Sequence, residues 1–350
     1  MVGVGTLDLA ASVECCSDRC ANPNRNELVP FSKQNPGPGT WLLTDGHAGN
    51  RRQTRALARA LGLPSQSPVL APAAPWRWFA PRRLPGDSRA FGATFHAALA
   101  TPPQLAIGCG RQGALATRLL REAGARTIQI LDPRLDPAHW DLVIAPAHDR
   151  LSGGNVIGLS GSLHPVDAVW LAAGRQAFAM FAALPSPRIA VLVGGPTRNA
   201  PWDRSAFERL LAALDARLRQ AGGSLLATTS RRTPAPVQAA LRDMAARHPG
   251  ECWDGQGTNP YAGLLAWADA IVCTPDSVNM LSEACATEVP VHVLDPHGTR
   301  GRLRRFIDDL QARARIAPFS ADLLPFAVQP LRETARVAAE IRQRLPLPDR

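Results

Sequence analysis

The sequence predicts an α/β protein of two Rossmann-like domains facing a central cleft, preceded by a flexible leader. Three observations carry this. Apolar runs of strand length alternate with amphipathic helical stretches, first from Thr40 and again from Arg188, the pattern of parallel sheets covered by helices on both faces. The chain has 350 residues, enough for two separate cores. The runs end in loops of small polar residues, and loops at the carboxyl ends of parallel strands are where α/β proteins hold ligands.

Residues 1–38, ending in KQNPGPG, show no periodicity and are rich in turn formers, so they read as the leader. The first domain covers 39–185. It runs through TWLLTD with a helix over 50–61, QLAIGCG with a helix over 111–123, then TIQILDP, DLVIAPAHD and NVIGLSG. Between Leu63 and Ala90 the Pro- and Trp-rich stretch SPVLAPAAPWRWFAPRRLPGD interrupts the alternation as a surface insertion. The second domain covers 186–329. It begins after LPSPR with IAVLVGGPT and a helix over 204–220, GSLLATTS and a helix over 235–247, and the short ECWD with a helix over 259–267. AIVCT with a helix over 277–286 and VHVLD complete it, and the terminal segment 330–350 carries an amphipathic helix.

The net charge of +10 is carried almost wholly by arginine, since Lys33 is the only lysine. A basic balance favours anionic partners, but no polybasic run interleaved with aromatics appears, so nucleic acid is not an expected partner. Cys15, Cys16 and Cys20 lie in the leader, whereas Cys109, Cys252, Cys273 and Cys285 lie in apolar elements, an arrangement unlike a disulfide framework. There is neither a signal-peptide pattern nor a membrane-spanning run. A reduced cytoplasmic setting is expected, touching the inner face of the membrane at most peripherally.

Several chemistries are excluded by residue type. Tyr261 is the only tyrosine and Leu265 stands where a Tyr-x-x-x-Lys pair needs lysine, which removes short-chain-dehydrogenase epimerisation. A P-loop needs a lysine that the folded part lacks, and no metal-ligand motif occurs, so neither a catalytic metal nor a cofactor is expected.

Phosphate-friendly loops remain. Gly194, Gly195 and Thr197 of GGPT follow a strand, and glycine lets backbone N–H groups approach an anion. Ser230, Arg231 and Arg232 of TTSRRTP suit a diphosphate clamp. In TPDSVNMLSEA, Thr274 ends a strand and Asp276 or Ser277 caps the next helix, whose free N–H groups can seat phosphate or a sugar hydroxyl. Glu283 lies further along that helix, placed to accept from a ribose diol. In the first domain, TDGHAGN offers Asp45 and His47 as the acid–base candidates, His47 as general base toward an acceptor hydroxyl, with Gly46 and Gly49 keeping the loop tight. Arg111 opens the helix after GCG, and Asp149, Gly153 and Asn155 stand at later strand ends, to line an acceptor pocket or simply to cap and turn.

Together, LTDGHAGNRRQ, GCGRQ, LDPR, APAHDRLSGGNV, VGGPTR, TTSRRTP, TNPY and TPDSVNMLSEA resemble the family of the plant mitochondrial-fission factor named for elongated mitochondria, with its bacterial homologues, otherwise a domain of unknown function. The resemblance runs from about residue 40 to the last helix. It implies the glycosyltransferase-B arrangement of two Rossmann domains. Glu288 and Val289 depart from the family's Gly-Lys before the last core strand, so that turn is expected to differ.

The expected function is a metal-independent, glycosyltransferase-like protein that binds a nucleotide-sugar or nucleotide, its base and ribose against the second domain and its acceptor against the first. The alternative is a non-catalytic adaptor of the same family, working through a protein or membrane surface. Residues 76–83 would serve it: Trp76, Trp78 and Phe79 beside Arg77, Arg82 and Arg83 form an interfacial patch, unless burial of the aromatics merely anchors the insertion.

Overall fold

The structure is a computed structural model that describes residues 39–68 and 70–348; the leader, with its cysteines, lies outside the described residues. The first half contains β1 (Thr40–Thr44), α1 (Ala48–Leu61), β2 (Ser65–Gln66), α2 (Trp76–Phe79), α3 (Ala93–Ala98), β3 (Leu105–Cys109) and α4 (Gly110–Glu122). It continues with β4 (Arg126–Ile130), β5 (Leu142–Pro146) and β6 (Val156–Leu159). The second half contains α5 (Ala168–Ala177), β7 (Arg188–Val193), α6 (Arg204–Ala221), β8 (Ser224–Thr229), α7 (Ala235–Ala245), β9 (Gly250–Trp253) and α8 (Tyr261–Trp267). After these come β10 (Ala270–Cys273), α9 (Val278–Cys285), β11 (Val291–Val293), α10 (Gly301–Ala312), β12 (Ala317–Pro318) and α11 (Glu333–Arg344).

Two parallel six-stranded sheets result, ordered β2-β1-β3-β4-β5-β6 and β12-β11-β10-β7-β8-β9. Their central strands are buried on both faces, which is why TWLLT, LAIGC and RIAVLV read as nearly continuous apolar runs. Helix ends follow local chemistry. Asp203 caps α6 by accepting from Ala206 N at 2.7 Å, Ser277 caps α9, and Gly222 closes α6 at φ 69°.

In each sheet the chain reverses direction once. The path β1 to β2 runs to one side and β3 returns to the other side of β1; likewise β7, β8 and β9 run one way and β10 returns beside β7. The crevices between β1 and β3 and between β7 and β10 are thus topological switch points, the positions at which open α/β sheets hold their ligands.

Packing changes owner earlier than the strand pattern suggests. Leu163 still belongs to the first apolar cluster, whereas Val166, Leu171 and Phe181 already belong to the second. The apolar packing thus changes near residue 165, upstream of β7, because α5 docks on α8. Gly174 makes this possible: a Cβ there would stand 2.7 Å from the Ala262 carbonyl. The chain then returns, since α11 buries Val337, Ala338 and Ile341, and the residue after it, Leu345, in the first cluster with Leu57 and Leu61.

Ile341 is fully buried. Ile341→Ala is expected to cost about 2–5 kcal/mol in urea unfolding. A loss below about 1 kcal/mol would mean that α11 does not seal the first core.

Candidate functional site

The residues singled out in the sequence gather at the two switch points. Asp45, Gly46 and His47 follow β1, and Gly110 and Arg111 follow β3 beside them. Gly194 and Gly195 follow β7, and Thr274, Asp276 and Ser277 follow β10. The crevices meet where α1 and α9 begin: a Cβ on Gly49 would collide with the Asn279 amide.

In the second half several expected ligand groups are already engaged. Gly194 N donates to Thr274 Oγ1 at 2.8 Å and Gly195 N donates to Asp276 Oδ2 at 3.1 Å. A Cβ on Gly194 would overlap the Asp276 carboxylate, and one on Gly195 the Arg232 carbonyl. Their lack of a side chain thus serves close loop packing, a correction to the anion-cradle reading. Asp276 does not cap α9; it also accepts from Trp202 Nε1 at 3.4 Å and Arg232 Nη2 at 3.0 Å, while Ser277 Oγ accepts from Met280 N at 3.3 Å. Ser230 Oγ accepts from Arg232 N, and Thr197 Oγ1 from Ala200 N, so both hydroxyls shape their own turns. Arg231 is exposed and forms no ion pair among the described residues.

In the first half, Asp45 Oδ1 accepts from Asn50 Nδ2 at 2.8 Å and from His47 N at 3.1 Å. The His47 ring is largely exposed, its Nε2 4.0 Å from Asp45 Oδ2. His47 also occupies the N-cap of α1 without a side-chain cap, and no acidic residue stands in that first turn. The leading N–H groups of α1 therefore have no acidic side chain in their own turn. Arg111, by contrast, is turned away to Ala80 O at 2.8 Å and Trp78 O at 2.7 Å, so it holds the insertion and does not line the crevice. Asn155 donates to Pro137 O and Trp140 O, which makes it a loop brace.

Glu283 departs most from expectation. Apolar neighbours imply packing, and the carboxyl is indeed buried, but it pairs across the halves with Arg52 of α1. The Arg52 guanidinium also lies 5.2 Å from the Tyr261 ring centroid and 6.0 Å from that of Trp170. Burial pushes the Glu283 carboxyl up from its usual range, and the cation beside it opposes this. Around this pair runs a polar seam. Ser162 N donates to Ser282 Oγ at 3.0 Å, Arg302 Nη1 to Asp149 Oδ1 at 2.8 Å, and Arg305 Nε to His148 O at 2.9 Å, while His148 packs against Phe306. Asp149 is thus a seam residue. Arg52, Asn279, Arg302 and Arg305 were not singled out in the sequence, because a contact between residues far apart in the chain leaves no local signal. The period of Leu303, Phe306, Ile307 and Leu310 would have shown α10 itself.

Two predictions follow from the seam. Arg52→Ala leaves the Glu283 carboxyl buried without its cation and is expected to cost on the order of 3 kcal/mol, whereas Arg52→Met with Glu283→Gln should cost less. A double-mutant cycle with no coupling would deny the pairing. Separately, burial, with Arg305 beside His148 and Arg52 beside His164, lowers both imidazoles to about 4. The unfolded chain binds these protons near pH 6.5, the native chain only near pH 4, so stability should fall as pH drops from about 6.5 to about 4. Urea midpoints across that range measure it, and His148→Gln should flatten the slope.

No helix among the described residues is long and apolar enough to cross a membrane. The architecture matches solved structures of low identity. The UDP-GlcNAc 2-epimerase of Neisseria meningitidis, bound to UDP-GlcNAc, superposes with TM-score 0.55 at 13% identity over 87% of this chain and all of that one. The UDP-GlcNAc 2-epimerase of Methanocaldococcus jannaschii gives 0.53 at 9% identity over 87% and 99%. These show the glycosyltransferase-B fold, a two-domain architecture outside the reach of the Tyr-x-x-x-Lys criterion. In sequence, an uncharacterized protein of Rickettsia prowazekii is 24% identical over 284 residues, 69% of this chain and 79% of that protein. The Mitochondrial fission protein ELM1 of Arabidopsis thaliana is 30% identical over 274 residues, covering 69% of this chain but only 64% of the plant protein. With the family model for Mitochondrial fission ELM1 matching residues 48–345, the chain belongs to that family.

Proposed function

We propose that the protein binds a nucleotide-sugar or nucleotide between its two switch points and acts as a metal-independent glycosyltransferase-like protein. One observation carries the reading: the β1/β3 and β7/β10 switch points come together where α1 and α9 begin, at Gly49 and Asn279. The likeness to an epimerase bound to UDP-GlcNAc supports the ligand class. Arg231, with the starts of α1 and α9, supplies positive potential for the diphosphate, and Arg232 reaches the same place while steadying Asp276. On this reading Asp45 and His47, which follow β1 in the first half, serve the acceptor. Glu283 meets a ribose diol only by releasing Arg52, so ligand entry is coupled to opening of the seam.

Calorimetric titration with a nucleoside, its diphosphate and the matching nucleotide-sugar tests this. Arg231→Ala should weaken only the ligands that carry the diphosphate, by about tenfold or more. Arg232→Ala should add a loss of stability, because Asp276 is buried. Any transfer activity should survive excess EDTA. Melting temperatures unmoved by every nucleotide tried would instead support the adaptor reading, which the exposed aromatics Trp78 and Phe79 favour.

A further inference from the structure

The insertion has a feature that nucleotide binding does not use. Trp78 and Phe79, adjacent on α2, are 60% and 49% exposed, while Trp76 two residues earlier packs partly against a separate apolar cluster that holds Trp41, Phe91 and Phe95, and donates Nε1 to Pro85 O at 3.4 Å. The aromatics thus divide. One anchors the turn and two face outward, which corrects the expectation of a patch formed by all three.

The turn is held rigidly for a surface element. Gln112 Nε2 donates to Arg77 O at 2.9 Å, Arg111 to Trp78 O and Ala80 O, and Arg118 Nη1 to Pro81 O at 2.8 Å. Side chains of α4 therefore take the carbonyls along the turn, and the outward aromatics are presented by a fixed platform. Large exposed apolar groups on a rigid support mark a contact surface.

Its charge indicates the partner. The Arg77 guanidinium lies 5.0 Å from the Trp78 ring centroid, and Arg82 is exposed; neither has an acidic partner among the described residues. The acids nearby, Asp87 and Glu122, are both taken by Arg83. Two aromatics on a four-residue turn offer far less than the roughly 800 Å² per side of a stable protein interface. They do suit the headgroup boundary of a bilayer, where Trp and Phe insert shallowly and arginines meet anionic lipid.

We infer that Arg77, Trp78, Phe79 and Arg82 form a docking turn for an anionic lipid surface. Because Arg111, which holds this turn, opens α4 at the β1/β3 switch point, docking brings the first-half edge of the cleft toward the bilayer.

The test is co-sedimentation of the full chain with vesicles of phosphatidylcholine, alone or mixed with phosphatidylglycerol. The wild type should bind the anionic vesicles and lose binding as salt rises. Trp78→Ser with Phe79→Ser should reduce partitioning about tenfold or more, and Arg77→Gln and Arg82→Gln about fivefold each. Melting temperatures should stay unchanged, since these side chains are exposed. No binding by the wild type at low salt would overturn the inference. So would equal binding by the aromatic variant, or a protein partner lost in that variant while vesicles remain unbound.

Discussion

A buried arginine holds α9 in place, and most of the site depends on that helix. Arg315, 2% exposed, donates Nε to Cys285 O at 2.7 Å and its Nη groups to Ala284 O, Thr287 O and Val289 O. Burying a guanidinium is costly unless its donors are satisfied. Here they are satisfied by carbonyls at the helix C-terminus, which carry partial negative charge. Arg332 Nε adds a bond to Ala286 O at 3.0 Å. With its C-terminal end fixed in this way, α9 cannot slide without exposing or orphaning a buried cation.

From that anchorage α9 serves three neighbours. Its start lies beside the Asp276 network of the β7/β10 crevice, its middle sends Glu283 to Arg52, and Ser282 receives Ser162 N. The apolar cores lie to either side of this region, and the contacts between the halves are largely polar: ion pairs, hydroxyls and backbone groups. Such a seam separates at less cost than a core. A group that competed for Glu283 or Asn279 would therefore act directly on this seam.

The same economy of contact explains the glycines. Gly49 lets α1 approach Asn279, Gly161 lets the segment after β6 approach Ser282, and Gly194 and Gly195 let the β7 loop close over Asp276 and Arg232. Their role here is steric. The family and fold relationships fit this picture of a two-domain scaffold.

The sequence by itself determined the alternation of strands and helices, because apolar period and turn chemistry are local properties that each segment carries alone. Both sheets, most helices and the positions of the strand-end loops were legible on that basis. The motifs around Asp45 and Asp276 were correctly placed at strand ends. Tertiary structure alone decided strand order, and with it the two switch points; it also decided which core claims α5 and α11. It reassigned Glu283, Arg111, Gly194 and Gly195 from free ligand groups to internal contacts. The physical reason is common to all of these. A charge or an N–H group is available to a ligand only if no other part of the chain satisfies it first, and the partners that do so here, Arg52, the Ala80 carbonyl, Thr274 and Asp276, lie dozens to hundreds of residues away.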